Sequence, residues 1–458
     1  MSLLSVESGA LLLIAVVATR FAGRRSLPCV LLGASAAFYL LSSPGGAAWL
    51  GAATALTYTA GALLARVGPR GGRVLVTSAA LLILGALVYV KLPESPVLAP
   101  LGISYFSFRL LSYLFDVYWG KCPPTTSLTS FAAYVAFFPE MTSGPIDRWP
   151  NFRLGMSSFE PPDYERMSSA MRLVLFGLFK KVVVANRLGG LVDPVFDRPG
   201  SFGPGFLVAA AYAFPIQLYA DFSGMTDIAR GASRLLGIEA PRNFDRPFLA
   251  ASVQEFWSRW HMTLTSWLRD YLFKPVTVML RREGQAGLAV AIAVNMIAVG
   301  LWHGLKWTFL AFGLLNAFYL VLPMLSRRGV TRREVGPQRL RRLIGVVSTL
   351  HLMMLAFVFF RADDLISAAR VLAGFADLPV NVSHAFDAQR PVGATPWGIA
   401  APLAIMALVE YAVARGWWNV LRRPGLGTVG RWTAYYVMIV AIIFMGNWGR
   451  QDSIYARF

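Results

Sequence analysis

The sequence predicts an all-α polytopic membrane protein, and three observations carry that reading. Hydrophobic residues make up 56% of the 458 positions and charged residues only 15%, where soluble domains carry about a quarter charged residues. Apolar runs long enough to cross a hydrocarbon core of about 30 Å recur along the chain. The net charge of +19 comes from arginines gathered in short connections between those runs. That placement reads as a topology signal rather than a nucleic-acid surface.

Taken in order, the first apolar runs cover residues 8–20, 27–42, 47–65 and 74–90, with Gly/Pro-containing or basic connections. No basic residue precedes the first run, and many spans follow it, so it reads as an uncleaved first helix. Arg20, Arg24 and Arg25, then Arg66, Arg70 and Arg73, assign the connections after the first and third runs to the cytoplasm and the N-terminus to the outside. From Pro100 the character changes. Leu101–Trp119 is aromatic and contains Arg109 and Asp116, and Ser127–Pro145 mixes apolar residues with Pro139, Glu140, Gly144 and Pro145. Such broken segments suit protein-buried or re-entrant positions.

Apolar stretches at 167–185 and 205–222 then precede an Arg-, Trp- and Phe-rich segment, Ile228–Arg282, read as lying at or dipping in from the cytoplasmic face. The last runs cover 286–302, 307–325, 343–360, 396–414 and 432–448, with basic connections at Arg327–Arg342 and Arg415–Arg431. Continuing the alternation puts Asp363–Arg390 and the C-terminal tail outside. The crossings then total an even number, so at least one of the four candidates between residues 101 and 222 is re-entrant. The expectation is about 10–12 spans plus re-entrant and interfacial helices. They form one integral domain over 1–458, with peripheral spans in 1–100, a core in 101–362 and C-terminal spans in 363–458. Neither an internal repeat nor a long linker divides it.

Cys29, in an apolar run, and Cys122, in a loop, supply neither a disulfide framework nor a spaced metal set, and read as small packing residues. There is no nucleotide-binding glycine loop, zinc spacing or nucleophile elbow. The chain has four histidines, and two keep unusual company: His261 in Phe256-Trp257-Ser258-Arg259-Trp260-His261 and His303 in Gly300-Leu301-Trp302-His303-Gly304. An ionisable side chain at the end of an apolar run is costly, and intramembrane examples usually face a cavity on a substrate or proton path. Imidazole is also the group best matched to proton transfer near neutral pH. The bland alternatives stay open: an interfacial His303 in an aromatic belt with Trp302 and Trp307, and a His261 merely tolerated in a charged segment. His351 and His384 read as structural. Asp221, ahead of Phe222-Ser223-Gly224 and near Asp227, either polarises a histidine or caps a helix N-terminus.

Four stretches in order resemble the membrane-bound O-acyltransferase family. They are Leu218-Tyr219-Ala220-Asp221-Phe222-Ser223-Gly224, Asn243-Phe244-Asp245-Arg246-Pro247-Phe248, Gln254-Glu255-Phe256-Trp257-Ser258-Arg259-Trp260-His261 and Gly300-Leu301-Trp302-His303-Gly304. Pro100-Leu101-Gly102-Ile103-Ser104-Tyr105, Phe137-Phe138-Pro139 with Ser143-Gly144-Pro145, and Val358-Phe359-Phe360-Arg361-Ala362 extend the likeness over almost the whole chain. Within the family the chain is similar to the polymer-modifying branch, which holds the alginate O-acetyltransferase membrane subunit and the teichoic acid D-alanyl transferase. Lys274-Pro275-Val276-Thr277 stands where acetylases often carry Pro-Leu-Gly-Gly, so the acyl group stays open between acetyl and D-alanyl.

The resemblance implies a helical bundle around a central funnel in a bacterial cytoplasmic membrane. His303 takes the position of the family's essential histidine and His261 that of the supporting one, with Trp302, Asp221, Trp260, Arg259 and Asn243 around them. It implies an acyl thioester donor, either acyl-CoA or an acyl-carrier protein at the cytoplasmic face, with no tightly bound cofactor and no metal. The acceptor would be an extracytoplasmic polymer or a secreted acyltransferase partner, and besides these the partners would be membrane lipid and no nucleic acid. A thioester is already activated, so the protein needs mainly to align it, deprotonate the hydroxyl and stabilise the oxyanion. His303 would be the base, and His261 would orient it, hold the thioester carbonyl or relay the proton. The rival class is a transporter or flippase of a lipid-linked or small solute, since broken helices and intramembrane ions also mark transport paths.

Overall fold

The computed structural model describes residues 3–92, 100–326, 338–380, 385–386, 396–414 and 426–449. His384 and much of the basic connections after residues 326 and 414 lie outside the described residues. The elements among the described residues are all helices, with no strand. Seven described helices are long and apolar enough to cross a membrane: Pro44–Leu64, Pro69–Lys91, Pro204–Leu235, Arg281–His303, Trp307–Leu325, Gln338–Arg361 and Gly427–Met445. The chain is a multi-pass membrane protein. The first two apolar helices, Val6–Phe21 and Leu27–Ser42, run 16 residues each. Pro28, Pro44 and Pro69 sit in the first turns of their helices, where a missing N–H costs nothing and a fixed φ helps nucleation.

Burial separates two kinds of helix. In Pro69–Lys91 the apolar window is 28% buried and faces outward with Leu81 and Leu82, whereas in Pro204–Leu235 it is 72% buried. The latter is a core element, and it corrects the sequence reading: the helix does not stop near residue 222 but continues through Ser223, Gly224 and Asp227 to Leu235. Asp221 therefore lies well inside a helix and is not an N-cap. The apolar stretch at 167–185 likewise divides into a helix, Tyr164–Leu178, and a π-helical turn, Phe179–Ala185. Such turns are rare and frequent at functional sites.

Two compact units divide the chain. One comprises residues 1–174, 226–242 and 266–271; the other comprises 175–225, 243–265 and 272–458. The first is built around a buried ion pair, Arg109 to Glu140 at 2.6 Å, with the same guanidinium donating to the Tyr134 carbonyl and Ser233 donating to Glu140. Gly144 packs against the backbone of Glu140, where an added Cβ would overlap it; this accounts for the glycine in Ser143-Gly144-Pro145.

In the second unit, Gly284–His303 and Trp307–Ser326 pack against each other. Gly300 and Gly313 lie at their contact, each with the opposing backbone so close that a Cβ would collide. Small residues permit such approach in membrane helices. Arg361, the last residue of Gln338–Arg361, donates to Asp193 at 3.1 Å and Asp197 at 2.8 Å. That pairing anchors the end of a helix whose preceding residue, Phe360, reaches the site described next.

Candidate active site

Val253–Arg259 is a seven-residue helix started by Ser252, whose hydroxyl accepts from Glu255 N–H, the usual arrangement for an N-cap. It ends at Trp260, and the next helix begins at Met262. His261 is the joint between them. Its φ is +43°, in the left-handed region that costs a non-glycine residue about 1–2 kcal/mol, so its surroundings must hold it there.

Asn243 does so. Its carbonyl accepts from Met262 N–H at 2.8 Å, and its side-chain Oδ1 accepts from Thr263 N–H at 3.1 Å and Thr263 Oγ1 at 2.8 Å. The same Oδ1 lies 3.1 Å from His261 Nδ1. A backbone N–H can only donate, which fixes this amide atom as the oxygen, so His261 Nδ1 must carry the proton. Nε2 is then the nitrogen with the basic lone pair. His261 is 1% exposed, and burial pushes its imidazole down to about 3, which keeps it neutral at any physiological pH. The Asn243 Nδ2 is buried and has no hydrogen-bond partner among the described residues, leaving a donor unspent.

His303 closes Gly284–His303 and is 5% exposed. Its ring meets Phe360 edge-on at 4.6 Å and Phe309 at 6.0 Å. Trp302 lies between the two histidines, 4.7 Å from the His303 ring and 5.9 Å from the His261 ring. Phe222 packs edge-on to His261 at 4.7 Å. Residues of three distant motifs are thus brought into one aromatic cluster.

The other residues singled out in the sequence divide. Trp260 is a core side chain, stacked on Phe256 at 5.3 Å and packed on Phe244 and Phe357. Arg259 pairs with Glu255 one turn back at 2.6 Å. Asp221 pairs with Lys181 at 2.5 Å, both buried, while its neighbour Phe222 supplies the contact with His261. His351 hydrogen-bonds the Val347 carbonyl of its own helix and stacks edge-on with Tyr212.

The residues that sequence reasoning missed are chiefly lysines. Lys180 and Lys181 occupy the π-helical turn, and Lys180 donates to Ser223 at 3.0 Å with its ammonium 4.7 Å from the Phe176 ring. Two consecutive lysines inside an apolar run were the available signal. Tyr219 donates to Glu410 at 2.5 Å, a carboxylate in the apolar helix Pro396–Ala414. Among the described residues no group of three or more His, Cys, Asp or Glu side chains could hold a metal ion.

The sequence model of the membrane-bound O-acyltransferase family matches residues 123–361, more than half of the chain. The chain belongs to that family. Every residue of the histidine cluster lies inside the matched range. Among curated members, a probable alginate O-acetylase of Azotobacter vinelandii is 35% identical over 284 residues, covering 60% of this chain and 54% of that one. A peptidoglycan O-acetyltransferase of Helicobacter pylori is 32% identical over 313 residues, covering 61% and 57%. A teichoic acid D-alanyltransferase of Streptococcus thermophilus is 30% identical over 281 residues, covering 57% and 68%. This membrane-bound O-acyltransferase homologue thus spans about half the length of the acetylating relatives it matches.

Proposed function

We propose that this protein is an O-acyltransferase that moves an acetyl or D-alanyl group from a cytoplasmic thioester to a hydroxyl of an extracytoplasmic polysaccharide or cell-wall polymer. The observation that carries the reading is the pair of buried histidines bridged by Trp302, one of them held in a single tautomer by Asn243. A solute pathway has no need for an imidazole so constrained beside a second buried one, whereas acyl transfer needs a neutral base and hydrogen-bond donors near the same carbonyl.

In the proposed reaction the acceptor hydroxyl attacks the thioester carbonyl carbon while His303 takes the hydroxyl proton. The tetrahedral oxyanion collapses, the carbon–sulfur bond breaks, and the proton passes from imidazolium to the departing thiolate. Asn243 Nδ2, a buried donor not used elsewhere among the described residues, is suited to the thioester carbonyl oxygen. His261 offers Nε2 as an acceptor that orients the hydroxyl or relays its proton. Placing these groups in advance is worth most in a water-poor setting, where dipoles need not reorganise as charge develops.

The donor is an acyl group on coenzyme A or on an acyl-carrier protein, and the membrane is the bacterial cytoplasmic one. The acceptor is reached directly or through a secreted acyltransferase partner. Purified protein in liposomes, supplied with radiolabelled acetyl-CoA or with D-alanyl carrier protein, tests the reading. Transfer of label from one donor to an external hydroxyl acceptor or partner is the expected result, and hydrolysis-level background with both, from protein that remains folded, would overturn it.

A further inference from the structure

Outside the histidine cluster, in the first unit, lies a cleft of about 320 Å³ with no acidic residue in its lining. Arg24 and Arg153 line it together with Thr125, Ser127, Ser130 and Trp149. Ser127 caps Leu128–Ala136, its Oγ accepting from Ser130 N–H. The remaining first-turn N–H groups carry the positive end of the helix dipole.

Three further observations point to a ligand. Arg153 meets no acidic partner among the described residues. Arg24 is aimed by its Nε donating to the Phe159 carbonyl at 3.2 Å, and its ion pair with Glu160 is long, 3.8 Å, and largely exposed, which makes it weak. Trp149, 2% exposed, has its Nε1 buried without a hydrogen-bond partner among the described residues. A buried donor and an unneutralised cation beside a helix N-terminus suit an anion with several oxygens.

The residues next to these in the chain say what carries that anion. Phe21, three residues before Arg24, is 87% exposed; Leu154, beside Arg153, is 64% exposed; Leu128, beside Ser127, is half exposed. Phe21 ends an apolar helix, and the arginines that follow it carry the positive-inside signature of the inner face. Cations beside exposed apolar side chains at the end of an apolar helix match a headgroup above its acyl chains. We propose that this cleft binds the phosphate of an anionic phospholipid of the inner leaflet, anchoring the N-terminal helices independently of acyl transfer.

Delipidated full-length protein in detergent, titrated with phosphatidylglycerol and followed by native mass spectrometry, tests the assignment. One tightly retained lipid per chain is expected, weakened about tenfold or more in the double variant Arg24→Gln/Arg153→Gln and partly restored in Arg24→Lys/Arg153→Lys. Ser157→Trp, which fills the cleft and leaves both arginines in place, is expected to lower retention in the same way. The pair Arg281→Gln/Arg282→Gln, basic but outside the cleft, is expected to leave it unchanged. Equal retention by the double variant and by Ser157→Trp would mean annular lipid only. Displacement of the lipid by millimolar inorganic phosphate or coenzyme A would assign the cleft to a soluble phosphate. Either result overturns the proposal.

Discussion

Removal of the Asn243 carboxamide probes how the site holds His261. Oδ1 accepts from Thr263 N–H, Thr263 Oγ1 and His261 Nδ1 at 3.1, 2.8 and 3.1 Å. In Asn243→Ala three buried donors lose their acceptor at once, each at about 1–3 kcal/mol. Relaxation of His261 from φ +43° returns about 1–2 kcal/mol. A net loss of at least about 1 kcal/mol, and up to about 8, is therefore expected against an ordinary folding stability of about 5–15 kcal/mol, together with loss of acyl transfer. Asn243→Asp separates the effects: it keeps an acceptor, removes the Nδ2 donor and sets a carboxylate against the imidazole. That charge favours imidazolium, so the His261 pKa rises from its wild-type value of about 3. Transfer by Asn243→Asp should fall more steeply at low pH than in the wild type, where only the base His303 is there to be protonated, because activity is also lost as pH drops through the raised His261 pKa. Thermal melts in detergent and rates in proteoliposomes between pH 5 and 8 measure both. A wild-type melt and rate for Asn243→Ala, or a pH profile for Asn243→Asp that superimposes on the wild type, would refute the reasoning.

Stability should depend on pH through the same residue. The folded His261 titrates near 3 against an ordinary 6.5, so the unfolded chain binds the proton first; its contribution is complete above 6.5 and lost as pH falls towards 3, at about 1.4 kcal/mol per pH unit. His261→Gln should flatten that slope in melts recorded across the window, and an unchanged slope would contradict the burial argument. Lys181→Met should cost about 3–5 kcal/mol by removing the buried cation paired with Asp221, and Lys181→Met/Asp221→Leu should recover most of it, as measured by thermal unfolding. Gly300→Ala drives a Cβ into the Phe309 carbonyl, and should separate the two helices, lowering transfer through displacement of His303 while leaving membrane insertion intact by fractionation.

The apolar runs at 27–42, 286–302, 307–325 and 343–360 correspond to helices Leu27–Ser42, Gly284–His303, Trp307–Ser326 and Gln338–Arg361, because there the lipid-facing composition is local information. The long core helix was harder to read. Its polar residues Asp221, Ser223 and Thr226 look like a helix end, yet Lys181, Lys180 and the Ser143 carbonyl satisfy them, and those partners lie about 40 to 83 residues away in sequence. The same limit applies to Arg361 and its two aspartates. The histidines stood out by residue type and Asn243 through the family resemblance, but the tautomer of His261 rests on a backbone N–H that no spacing reveals. The π-helical turn was hidden because its lysines find their partners, Ser223 and Asp221, about 40 residues away in sequence.

In the proposed reaction one imidazole, that of His303, supplies the proton chemistry of acyl transfer. Its most direct test is the transfer rate of His303→Ala in proteoliposomes, beside wild type with equal insertion and melting behaviour. Loss of transfer to background is predicted. A rate near that of wild type would contradict the account and return His303 to the aromatic packing around Trp302 and Phe360.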